Sequence, residues 1–173
     1  MSASVPAAPA VAGWTAGFNA ERRGLVSRLV AGSLHVATGL GITATVVGIG
    51  VAQAILARGV VVADANDVAM LNALAPVTLL FGLVGGAHAV AGLGIIFGSR
   101  QAAGLGIGLG VFDVVAGFVA LVIAAGSTKG AFDGVGIAMT MIVLGTVLAI
   151  AARVADWNTY GPVADADPEP DAA

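Results

Sequence analysis

The chain has 173 residues, of which 58% are hydrophobic and only 10% charged, with a mean hydropathy of +1.01 and a formal charge of −3. A soluble domain carries roughly 25% charged residues, and so few charges cannot cover a water-soluble surface, which excludes an ordinary soluble enzyme, a nucleic-acid-binding domain and a disordered chain. The 26 glycines show no G-x-y period and run to about twice the usual share of roughly 7%, which excludes collagen and points to membrane helices packed through small residues.

Residues 1–24 open Ala/Pro/Ser-rich and then carry Trp14, Phe18 and Glu21-Arg22-Arg23. They read as a flexible arm ending in an interfacial segment. A four-helix transmembrane domain is expected over 25–156. Its apolar runs cover 29–56, 68–98, 102–125 and 134–152, and about 20 apolar residues suffice for one span. Ala52-Gln53-Ala54 looks like a signal-peptide cleavage site. The apolar run before it exceeds the roughly 7–15 residues of a signal core, so it reads as a span. Pro76 suggests a helix start near that residue. The glycine run Gly104-Leu-Gly106-Ile-Gly108 has no strand before it and reads as packing, not as a dinucleotide loop. Residues 157–173 form a disordered acidic tail with too little apolar content to fold alone. Trp157 and Tyr160 at its start suit a headgroup-level belt.

Six of the seven cations are arginines. With four spans in an up-down bundle, Arg22, Arg23, Arg28, Arg100 and Arg153 share the terminal side, against Arg58 and Lys129 on the other. The positive-inside rule then places both termini in the cytoplasm, with the protein in a plasma (inner) membrane. The Ala/Gly/Val/Arg bias suggests a bacterial source. With no cysteine in the chain, thiolate metal sites and a catalytic cysteine are excluded.

One internal match stands out. Residues 32–42 read GSLHVATGLGI and residues 85–95 read GGAHAVAGLGI, a shared frame G-x-x-H-x-x-x-G-L-G-I around the two histidines of the chain, His35 and His88. The third span repeats the glycines around an acid: Gly110, Asp113, Gly117. The fourth has a degenerate form, Ala138, Met141, Gly145. Residues i, i+3 and i+7 share one helix face. Gly32 and Gly39, Gly85 and Gly92, and Gly110 and Gly117 therefore predict close helix contacts that shelter His35, His88 and Asp113 from lipid. Counting 1.5 Å per residue from the run midpoints puts Asp113 at the midplane, with His88 about 3 Å and His35 roughly 7 Å away in depth.

Three readings of this trio are open. It can be a polar knot that fixes helix order in a non-enzymatic membrane protein, structural or accessory to a larger complex. It can relay protons in a small transporter or channel, with Asp113 as carrier and His35 and His88 as partners. Or the two imidazoles can ligate a b-type haem, which the flanking glycines would accommodate; otherwise no cofactor is expected. The expected partners are the lipid bilayer and a homo-oligomer or larger membrane complex, with no nucleic acid. No nucleophile–base pair stands out, so no enzyme is read. Met139 and Met141 read as core filler, and Phe81, Phe97, Phe112 and Phe118 as packing or lipid contacts.

Arg28-x-x-x-Gly32 opens the first span, and Gly85…Gly92…Gly98-Ser-Arg100-x-x-Ala103 leads into the third. In this layout the chain is similar to DoxX-like and other small four-helix bacterial membrane proteins. The resemblance implies the four-helix fold alone; the paired histidines are not part of it.

Overall fold

The computed structural model describes residues 11–59, 65–126 and 131–161. Among them are four helices and no strand: α1 (Val11–Ala57), α2 (Ala65–Ile96), α3 (Arg100–Gly126) and α4 (Ala131–Tyr160). Each holds a segment long and apolar enough to cross a membrane: Glu21–Ala57, Thr78–Ile96, Arg100–Gly126 and Gly134–Tyr160. The chain is thus built as a multi-pass membrane protein, each span long enough for the roughly 30 Å of hydrocarbon.

Three boundaries differ from the expectations. α1 is helical from Val11, through the stretch read as a flexible arm. Val11–Gly24 contains no proline, and a nucleated helix adds a bond for each residue it gains. α2 begins at Ala65 and passes through Pro76, where a start was expected. One missing N–H costs less than an unpaired stretch of backbone beside lipid. α4 continues through Trp157 to Tyr160, residues placed at the head of the acidic tail. It stops at Gly161, whose φ of 64–80° class is shared by the other turn glycines and here is +67°, with the Gly161 N–H donating to Trp157 O at 2.8 Å. Residues 1–10 and the acidic stretch 162–173 lie outside the described residues.

The turn between α2 and α3 is short because its ends are capped. Gly98 takes φ +80°, open to glycine at no steric cost. The Ser99 N–H donates to Gly94 O at 2.8 Å. Ser99 Oγ then accepts the Ala102 N–H at 3.3 Å, as a serine N-cap does.

The bundle is small inside and large outside. Its buried hydrophobic residues include Ala31, Ala91, Ala103, Ala138, Ala152 and Ala155, with Ile95 and Leu148 as the large ones. Leucine, valine and phenylalanine face outward: Leu79, Leu83, Val122 and Phe97 are among the most exposed. Lipid tails are as apolar as leucine, so burying large side chains gains little, whereas small residues let backbones meet. Phe81, Phe97, Phe112 and Phe118 are exposed and read as lipid contacts. Met139, expected in the core, is also exposed, since it stands on the outer face of α4.

α1 packs mainly along α2 and α3 along α4, while α1–α4 and α2–α3 contacts close the set. A methyl group built on Gly32 would meet Gly92 O at 2.6 Å, and one on Gly39 would meet Gly85 O at 2.5 Å. Rising numbers on α1 meet falling numbers on α2, so these two helices run in opposite directions. The same holds for α3 and α4. A methyl group on Gly110 would meet Gly145 O at 2.7 Å, and one on Gly117 would meet Ala138 O at 2.9 Å.

Candidate polar site at the helix junction

Asp113 is the central residue of α3: 113 − 100 = 13 residues from one end and 126 − 113 = 13 from the other. That places it about 20 Å from either end of the helix. It is 7% exposed, while His35 and His88 are fully buried. The glycine frame explains the burial. In each hairpin two close backbone contacts, one turn or two on either side of the polar residue, bring the helices together and hold the side chain inside.

All three polar residues meet, in unequal roles. His88 Nε2 lies 3.1 Å from Asp113 Oδ2. This is ion-pair distance, yet the pair is not aligned as a hydrogen bond, and neither ring nitrogen of His88 has a hydrogen-bond partner. χ2 of histidine is a broad torsion, and a small ring rotation turns the N–H onto the oxygen. The His35 and His88 rings stand 5.4 Å apart between centroids, tilted by 37°. His35 therefore touches the pair through His88.

His35 has two further neighbours. Its Nδ1 is 3.0 Å from Ala31 O, one turn back on α1, and its Nε2 is 3.2 Å from Gly106 O on α3. Both are acceptors. A neutral ring donates to one of them; an imidazolium donates to both. Gly106 has to be glycine here, since a methyl group on it would meet His35 Nε2 at 2.9 Å. α4 closes the back of the site: a methyl group on Gly145 would meet Asp113 Cβ at 2.8 Å. Every helix thus contributes.

The spacing of the glycines pointed to His35, His88 and Asp113, and to Gly32, Gly39, Gly85, Gly92, Gly110 and Gly117 around them. It did not reveal that the Gly106 carbonyl faces His35. Gly106 was visible only as one glycine of the packing run Gly104-Leu-Gly106-Ile-Gly108, and a backbone acceptor leaves no mark on residue type.

Haem would need a free nitrogen on each ring and a slot between the helices. Both His35 nitrogens already face carbonyls. The space beside the glycines, expected to make room for a porphyrin, is filled by the facing backbone, Gly32 against Gly92 and Gly39 against Gly85. The arrangement does not fit a haem between His35 and His88. Its chemistry is that of a carboxylate, two imidazoles and a backbone carbonyl in contact, able to bind and share protons.

No protein-family model, curated protein or solved structure matches this chain, so its likeness to DoxX-like proteins stays one of layout.

Proposed function

We propose that this chain is a non-enzymatic integral membrane protein, structural or accessory to a larger membrane complex. Its four helices form an up-down bundle with both termini in the cytoplasm of a bacterial cell, in the plasma membrane. The observation that carries this reading is the position of the trio. His35, His88 and Asp113 join α1, α2 and α3 where the two hairpins meet, buried and flanked by backbone contacts. Such interhelical polar contacts hold membrane bundles together, at about 0.6 kcal/mol each on average. The test combines stability with flux. His35→Ala should lower the unfolding temperature of the purified protein, while wild-type proteoliposomes pass no more protons across a pH gradient than protein-free vesicles. Flux above that background overturns the proposal.

Two observations favour a second reading, a proton-coupled transporter or channel. His88 Nδ1 is buried without a partner, and Asp113 keeps some exposure. Asp113 is then the carrier, with His35 and His88 as its partners. Proteoliposome flux that disappears in Asp113→Asn, with the fold intact by circular dichroism, would establish it.

A further inference from the structure

A second cluster lies away from the trio, where α1, the α2–α3 turn and α4 come together. It forms a cleft lined by Arg28, Gly98, Ser99, Asp156, Thr159 and Tyr160, among others. Two buried polar atoms in this cleft lack hydrogen-bond partners: Arg28 Nε and Thr159 Oγ1. Elsewhere among the described side chains this happens only at His88. A buried donor left unmade is costly, and two converging on one cleft call for an acceptor.

Arginines gather there. Arg100 Nε is 3.6 Å and Arg153 Nη1 3.1 Å from the carboxylate of Asp156, and Arg28 lines the same cleft. Aromatic rings hold two of them. Arg100 lies over Tyr160 at 5.6 Å and Arg153 over Trp157 at 6.0 Å. The Tyr160 hydroxyl donates to Gly98 O, tying α4 to the turn. Trp157 and Tyr160 are both exposed, and such residues at the end of an apolar span sit at headgroup depth.

The geometry points to a binding site for the anionic phosphodiester headgroup of a membrane lipid. Arg28 and Thr159 supply the unmet donors and Arg100 adds charge. Two features favour a lipid over another anion: the aromatic belt and the place at the ends of membrane spans. At rest the cleft is too narrow to admit a water molecule. The phosphate therefore enters as the long Arg28 and Arg100 side chains rotate outward, which opens Thr159 Oγ1 to it. A side chain at Gly98 would collide with the Arg28 guanidinium, so the turn itself positions that arginine. The site is independent of the role of the His/Asp trio.

The test titrates the full chain in a neutral detergent with short-chain phosphatidylglycerol, short-chain phosphatidylcholine or inorganic phosphate, read by native mass spectrometry and thermal shift. Phosphatidylglycerol should stay bound and raise the unfolding temperature, with phosphatidylcholine and phosphate leaving it unchanged. Arg28→Gln should weaken phosphatidylglycerol binding about fivefold, the effect of one cation near an anionic surface. Thr159→Val, a nearly isosteric change, should weaken it by a smaller factor and keeps the test standing if Arg28→Gln does not fold. Equal binding of the two lipids overturns the proposal, as does unchanged binding in Thr159→Val and every folded Arg28 variant. A thermal shift reproduced in full by inorganic phosphate also overturns it, since the ligand is then a free anion.

Discussion

The two hairpins share one frame and differ in what it holds. In α1–α2, Gly32 meets Gly92 and Gly39 meets Gly85; in α3–α4, Gly110 meets Gly145 and Gly117 meets Ala138. Adding 78 to the α1 numbers and 53 to the α2 numbers carries one set onto the other. His35 then corresponds to Asp113, and His88 to Met141. The first hairpin encloses two imidazoles and the second one carboxylate. Small residues at i and i+7 therefore set how closely a hairpin closes, while the residue at i+3 is free to vary. Placing bases in one hairpin and the acid in the other makes the two complementary where they meet.

The comparison can be broken first at the frame. Gly110→Leu should be the most damaging change, because the Gly145 carbonyl and Ala149 already occupy the space of a single methyl group. Overpacking costs about 1–3 kcal/mol and more where backbones touch. If Gly32→Leu is equally damaging, the hairpins are equivalent; loss of the folded band in semi-native electrophoresis reads both. A variant that unfolds at the wild-type temperature would show that the frame does not set the packing.

Next comes the contact between hairpins. Asp113→Leu leaves buried His88 facing no acid, at a cost of about 1–3 kcal/mol. The double variant His88→Leu with Asp113→Leu should recover part of that loss, since two apolar groups leave nothing unpaired. Additive losses in a double-mutant cycle, measured by denaturant titration in micelles, would mean that the 3.1 Å contact carries no coupling.

The smallest effect is expected at Met141, the position in α4 that matches His88. Met141→Leu keeps volume and polarity and should cost less than about 1.5 kcal/mol. A larger loss in thermal unfolding would mean that Met141 has a specific role in the second hairpin.

The four spans were readable because hydrocarbon thickness and backbone hydrogen bonding leave an apolar run of this length few alternatives. Helix ends were less so. Val11–Gly24 and Trp157–Tyr160 look polar or mixed, yet both continue a helix begun in the apolar run. Hydropathy marks where lipid begins and not where the backbone stops coiling. The orphan donors of Arg28 and Thr159 were hidden for another reason: these residues are 131 positions apart (159 − 28) and meet only when the bundle closes.

By itself the sequence determined the class of protein, its four apolar runs and the glycine faces carrying His35, His88 and Asp113, because each follows from composition or from 3.6-residue periodicity within one helix. Only the tertiary structure decided who touches whom. It set His88 against Asp113 and His35 against the Gly106 carbonyl, and it brought Arg100 and Arg153 onto the carboxylate of Asp156. Those choices depend on how separate helices dock, which no spacing within a single helix contains.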